Sequence, residues 1–376
     1  MSEYLQKPED AGFVSDQLSK AYEVMSSAVR EGTLLGGSIQ VSRDGKTLPP
    51  ACFGRRQLTE NGLKMDPDTI FLVASITKPI IAGAVMMLVE RGEASLDDQV
   101  AAIVPEFGQN GKKEVQLCHL LTHTSGLPDM LPNNLELRAR FAPMSEFIER
   151  ICAIPLMFQP GTRISYQSCG IAMLGEIVRR LDGREIHEFL REEFFEALGL
   201  LDTTLGKKEN RSDREAEIRI PEGDFEYGAA EALQWNWNSV YWRDLGAPWG
   251  GMMTTVSEMT RMCQVYLQGG SLNGVRVLAP ATVTAMTKDQ TSNFPDIIRS
   301  DRRERRWGLG WEIQGRGSSI FSDLASYETF GHTGATGTVT WMDPKTQTTC
   351  VIFTNDPAGV APLRPRIGHA VAAALI

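Results

Sequence analysis

A mixed α/β fold follows from three observations: strand patterns near both chain ends, a long and mostly helical stretch between them, and no repeat, low-complexity tract or linker that would separate independent domains. The expected architecture is an antiparallel sheet built from the N- and C-terminal segments, residues 1–74 and 246–376, and flanked by helices. Residues 75–245 form an inserted, mostly helical region of the same integrated domain. With 376 residues and 42% hydrophobic content, the chain can supply a substantial core.

The elements follow in order. Leu18, Tyr22, Met25 and Val29 recur at helical spacing after a cap at Ser15, and Gly32 stops that helix. Gly37 to Ser42 alternates as a strand does, and Asp44-Gly45 is a hairpin-type turn before a weaker strand around Ala51 to Phe53. Ile70 to Val73 is a short apolar run leading into Ser75. Ile80 to Val89 is wholly apolar but about half the ~20 residues a membrane span needs, so it reads as a buried helix. Leu96 and Val100 continue the helical period, Pro105 and Pro128 punctuate it, and Ile171 to Leu181 is a further helix. After Gly250-Gly251 comes a helix through Met259, Met262 and Val265, then strands at Gly310–Ile313, Gly337–Trp341 and Thr349–Phe353. The last two strands are joined by a turn at Asp343 to Thr346. A closing helix, Leu363 to Leu375, aligns Ile367, Val371 and Leu375 on one face.

Charge narrows the function classes. With 47 acidic and 38 basic residues the net charge is -9, which repels nucleic acid and anionic lipid, so neither is expected as a partner. The dense basic cluster Arg299, Arg302, Arg303, Arg305 and Arg306 is interleaved with Asp301 and Glu304 and reads as a solvated loop or linker. Six scattered cysteines without a Cys-x-x-Cys pair read as buried thiols of a reducing compartment. The N-terminal residues carry no signal-peptide pattern, and the expected location is cytoplasmic. Oligomeric state is not legible.

Ser75 is the serine with a lysine three positions on, Lys78, one helical turn away on the same face. Chance alone gives roughly one such match in a chain of this composition. The setting raises its weight: an apolar strand delivers Ser75 to the start of a buried helix, whose free N–H groups suit a developing oxyanion. A lysine in an apolar pocket loses its proton more easily, which fits it to act as a base. A Pro160-Gly161 turn then brings Tyr166 to a helix start, and Gly331-His332-Thr333-Gly334-Ala335 is a glycine-rich edge against which a substrate can lie.

These three stretches, in this order, resemble the serine β-lactamase and penicillin-binding superfamily, in its class C β-lactamase, D-alanyl-D-alanine peptidase and family VIII carboxylesterase branch. Glu93 to Asp98, Leu120 to Leu127, Gly250 to Thr255 and Trp307 to Trp311 look like further landmarks of that branch. The resemblance covers residue 15 to the C-terminus and implies a β-lactamase-like fold. It makes Ser75 the nucleophile, Lys78 and Tyr166 the paired general base and acid, and the amides of Ser75 and Ala335 the oxyanion hole. A lysine ammonium beside a phenol is expected to lower the phenol's pKa, so that the pair shares one proton.

Two positions depart from the pattern. Ser168 replaces the Asn that ends the tyrosine motif in the branch's β-lactamases, and His332 replaces the usual Lys, exchanging a full positive charge for a ring mostly neutral at pH 7. Both weaken recognition of carboxylate-bearing β-lactams and favour an uncharged ester. Pro79 after Lys78 resembles the carboxylesterase form. Ser168, His332, Thr333, Gly334 and Trp249 are the expected substrate contacts. Trp249 is chosen from an aromatic segment with Trp235, Trp237, Tyr241 and Trp242, equally suited to a cleft wall or a core.

His119 and His123 stand at i, i+4 on an expected helix, but without the His-Glu-x-x-His glutamate or a third ligand they read as capping or core histidines, and no metal is expected. No Gly-x-Ser-x-Gly elbow is present. The sequence therefore points to a cofactor-independent serine carboxylesterase acting on small or medium uncharged esters through an acyl-enzyme. The alternatives are a D-amino-acid peptidase, β-lactamase or acyltransferase on the same scaffold, and a non-catalytic ligand-binding relative.

Overall fold

The structure, a computed structural model, describes residues 4–206, 213–221, 230–315 and 320–376. Its strands are β1 (Gly36–Arg43), β2 (Lys46–Thr47), β3 (Ala51–Gly54), β4 (Phe71–Leu72), β5 (Thr204–Leu205), β6 (Met252–Thr254), β7 (Ser271–Leu272), β8 (Val275–Arg276), β9 (Arg306–Trp307), β10 (Glu312–Ile313), β11 (Phe330–Gly334), β12 (Thr338–Asp343) and β13 (Thr348–Thr354). The main sheet runs β2-β1-β13-β12-β11-β10-β9, with β3 also paired to β1. Every pairing in it is antiparallel. The sheet thus joins the two ends of the chain, with β1 and β13 in register from Gly37↔Thr354 to Arg43↔Thr348.

Period-two alternation assigns the two faces. Ile39, Val41, Val339, Trp341, Cys350 and Ile352 meet Leu18, Ala21 and Met25 of the N-terminal helix (Ser15–Arg30) and Ile367 and Val371 of the closing helix (Arg364–Ala373). Val351, Phe353 and Met342, on the opposite face, join a second core with the helix Val256–Leu267 and the inserted helices. Both faces are covered, so β13 is buried along its whole length. A two-residue turn at Asp44-Gly45 closes the hairpin on β2, and β3 pairs with the other end of β1.

The helix Thr77–Glu90 is buried from Thr77 through Leu88, as an all-apolar helix must be. Ile80, Ile81, Val85 and Leu88 are at most 1% exposed, each contributing about 1.5–3 kcal/mol relative to an exposed position. Truncating Leu88 to Ala is expected to cost about 2–5 kcal/mol. Its neighbour is the helix Ser168–Asp182. Strand β4, just ahead of Ser75, belongs to a separate small sheet ordered β4-β6-β5. The basic cluster is solvated at Arg299 and Arg303 as expected but is not a loop: residues Arg299–Glu304 form a helical turn, anchored where buried Asp301 accepts hydrogen bonds from Arg163 (2.8 Å) and the Ile164 amide (3.0 Å). Among the described residues, no helix is long and apolar enough to cross a membrane.

Candidate active site

Ser75 sits on a strained turn. Ala74 adopts φ +46, a left-handed conformation rare for a residue with a side chain, and a single 3-10 turn (Ala74–Ile76) then leads into the buried helix. Several bonds hold that turn. Val73 donates its amide to the Met252 carbonyl (3.0 Å), and Thr77 donates its hydroxyl to the Ala74 carbonyl (2.6 Å). From the main sheet, Thr336 donates to the Leu72 carbonyl (2.6 Å) and Thr338 to the Val73 carbonyl (2.9 Å). The turn between β11 and β12 is therefore fastened to the turn that carries Ser75. Gly334 permits the approach, since a Cβ there would lie 2.2 Å from the Val73 carbonyl oxygen.

Lys78 Nζ lies 2.9 Å from Ser75 Oγ and donates to the Trp249 carbonyl at 2.7 Å. It is 4.7 Å from the centre of the Tyr166 ring. Complete burial brings its pKa from 10.5 down to about 7, against an upward pull from the Asp129 charge. Burial likewise pushes the Tyr166 phenol up, opposed by a side-chain hydrogen bond with Ser75. The phenol is thus raised where a lowering was expected: desolvation outweighs the Ser75 hydrogen bond and the Arg305 charge, leaving a neutral phenol beside an amine that loses its proton near pH 7. Ser75, Lys78 and Tyr166 are brought together as the sequence anticipates.

His332, Thr333 and Gly334 line β11, and exposed Ala335 follows at its end. His332 Nδ1 is 2.7 Å from the Thr333 carbonyl, which assigns the proton to Nδ1 and leaves Nε2 a buried lone pair without a partner among the described residues. Burial first, and the charges of Lys78 and Arg305 with it, bring His332 down to about 3, so the ring is neutral at physiological pH. Ser168 lies at the start of its helix and donates its hydroxyl (2.7 Å) and amide (2.9 Å) to Asp129 Oδ1. Asp129, Met130, Phe147, Ile151, Ser168 and Trp249 line one small pocket. The Trp249 ring packs on Phe147 and Trp242, with centroids 5.6 and 6.3 Å apart.

Three residues of the site escape sequence reasoning. His123 is not on the helix with His119: that helix ends at Leu121, and His123 follows at φ +59. Its carbonyl accepts the Ser165 amide (2.9 Å), its Nδ1 accepts the Gln167 amide (3.2 Å), and its ring lies 4.8 Å from that of Tyr166. Arg305, from the basic cluster, lies 5.4 Å from the Tyr166 ring centre and is held by Glu312 in a two-pronged pair at 2.8 and 2.9 Å. Asp129 carried no signal beyond its place two residues after Leu127. Among the described residues no cluster of three metal-ligating side chains occurs.

A sequence profile of the Beta-lactamase family matches residues 22–374. The chain belongs to the beta-lactamase family. Within it, an Escherichia coli (strain K12) relative provisionally named D-alanyl-D-alanine carboxypeptidase is 26% identical, over 93% of this chain and 85% of its own. A penicillin-binding protein homologue from Caulobacter crescentus superposes with a TM-score of 0.78 at 24% identity, covering 96% of this chain and 98% of the other. A family VIII carboxylesterase superposes with a TM-score of 0.76 at 21% identity, covering 97% and 99%. The two structures show the shared fold. Beta-lactamase family membership makes the chain a hydrolase of the serine β-lactamase and penicillin-binding fold.

Proposed function

We propose that this beta-lactamase-family protein is a carboxylesterase that hydrolyses small or medium uncharged esters through an acyl-enzyme on Ser75, without a cofactor. The observation that carries the reading is the contact between Ser75 Oγ and the buried Lys78 amine, next to a neutral His332 that offers a substrate carboxylate no charge. Lys78 Nζ takes the hydroxyl proton as Oγ attacks the ester carbonyl carbon. The amides of Ser75 and Ala335 receive the oxyanion, whose collapse breaks the bond to the alcohol oxygen. Tyr166 gives its proton to the departing alkoxide and regains one from the Lys78 ammonium. Water then attacks the acyl-enzyme, losing its proton to the same pair, and Ser75 leaves with a proton restored. Ser168, Thr333, Gly334 and Trp249 border the ester beside His332.

Short-chain nitrophenyl esters test this directly. Turnover is expected for the wild type and a loss on the order of 10⁴-fold or more for Ser75→Ala. No turnover, or turnover indifferent to that substitution, overturns the reading. Of the peptidase, β-lactamase and acyltransferase alternatives, the peptidase is favoured by the name of the Escherichia coli relative, and acylation by penicillin with silence toward esters would select that group over the esterase. A non-catalytic ligand-binding role predicts no mass shift at Ser75 with a fluorophosphonate probe. A cytoplasmic location is supported by six cysteines that are all free thiols.

A further inference from the structure

Asp129 takes no proton in the transfers above, though its charge pulls the Lys78 pKa upward, and it is built into the wall of the site. Its backbone carbonyl caps the helix Ser168–Asp182, accepting the Ser168 (3.1 Å) and Cys169 (3.0 Å) amides. Its Oδ1 takes the hydroxyl and amide protons of Ser168 as well. Both donors of Ser168 are therefore spent on Asp129. What the pair has left to offer a ligand is acceptor only: the second carboxylate oxygen and the Ser168 oxygen lone pairs.

The other walls are mostly apolar, with Met130, Phe147, Ile151 and Trp249 among them, and Asn134 adds one polar side chain. Trp249 links the pocket to the nucleophile's base, since it lines the pocket and its carbonyl accepts from the Lys78 amine. The side chain of Asp129 is exposed and makes no ion pair among the described residues. Of the nearby cations, Arg305 is offset by Glu312, while the Lys78 amine feels the Asp129 charge. An exposed carboxylate at the edge of the pocket acts on a ligand through water, so its pull is modest and falls with added salt.

We propose that Asp129, locked in place by Ser168, sets the charge preference of the acyl pocket, repelling acyl groups that carry a carboxylate and drawing in acyl groups that carry a protonated amine. The proposal rests on the reading that Ser75 accepts the acyl group of an ester, and it widens the substrate class from uncharged to amino-bearing esters.

The test compares three nitrophenyl esters of one chain length: hexanoate, aminohexanoate and the adipate half-ester. In the wild type kcat/KM is expected to fall in the order amino, neutral, carboxylate. Asp129→Asn is expected to shrink the amino-to-carboxylate ratio by about tenfold or more, Asp129→Glu to restore it, and about 0.5 M NaCl to reduce it in the wild type. A ratio unmoved by Asp129→Asn, or, should that variant not fold, unmoved by salt, overturns the proposal.

The neutral ester reports on the carboxylesterase reading by itself. If no ester is turned over, that reading fails alone, and the rate of Ser75 labelling by matched cationic and neutral alkyl fluorophosphonates decides the charge proposal: faster cationic labelling sustains it, while equal rates or no labelling end it.

Discussion

Lys78 shows how one buried side chain carries both the chemistry and its cost. A free lysine is protonated at pH 7 and has no lone pair to offer; burial brings this one to about 7. If the unprotonated amine is the base, kcat/KM on a neutral ester rises with pH through about 7 and levels off above it. A profile flat from pH 5 to 9 would remove Lys78 from that role. The same shift sets a stability dependence. The folded-state pKa lies below the unfolded one, so between about 7 and 10.5 the unfolded chain binds more protons, and stability rises with pH across that window. Below 7 the full burden of a buried ammonium is present. Lys78→Met, which fills the space without the charge, is therefore expected to raise Tm by a few degrees at pH 6 while abolishing turnover; calorimetry beside the ester assay checks both.

At the scale of elements, the turn carrying His123 acts on Tyr166 from both sides. Its carbonyl and Nδ1 accept the amides of Ser165 and Gln167, the residues flanking Tyr166, while its ring supports the phenol and meets Trp307 edge-on at 4.2 Å. We expect His123→Phe, which keeps a ring but leaves the buried Gln167 amide unpaired, to lower kcat by about tenfold or more with little change in KM. His123→Asn, which tolerates the left-handed backbone and retains an acceptor, is expected to recover part of it. An unchanged kcat in His123→Phe would show that the clamp is not needed. None of this was legible in the spacing of His119 and His123, because the helix stops at Leu121 and the backbone reverses there. Ser75 and Lys78, by contrast, are neighbours within a single helical turn, and local periodicity alone suffices to pair them.

Over the whole molecule the same distinction holds. Strand alternation and the apolar run Ile80 to Val89 expose the two-sided sheet and the buried helix, since each depends on residues close in sequence. The contact of Asp129 with Ser168, 39 positions away, exists only once the loop after Leu127 folds over the start of the Ser168–Asp182 helix. The segment Arg299–Glu304 read as a loop because the partner that anchors it at Asp301, Arg163, is 138 positions off. The cysteines bring the fold as a whole to a single measurement. All six are free, and burial pushes Cys118 and Cys152 up to about 11 and Cys169 and Cys263 up to about 12, with Cys52 and Cys350 raised as well. The thiolate is the reactive form, so at pH 7.5 the native chain offers an alkylating reagent almost none. Iodoacetamide is accordingly expected to leave all six unmodified in buffer and to modify all six in denaturant, with dithiothreitol changing neither Tm nor ester turnover. Cys52 and Cys118 are half-buried, so the decisive sites are Cys152, Cys169, Cys263 and Cys350: rapid alkylation of one of these in the native protein would mean that its part of the core opens far more readily than its burial implies, and a Tm lowered by dithiothreitol would reveal a disulfide that this fold does not contain.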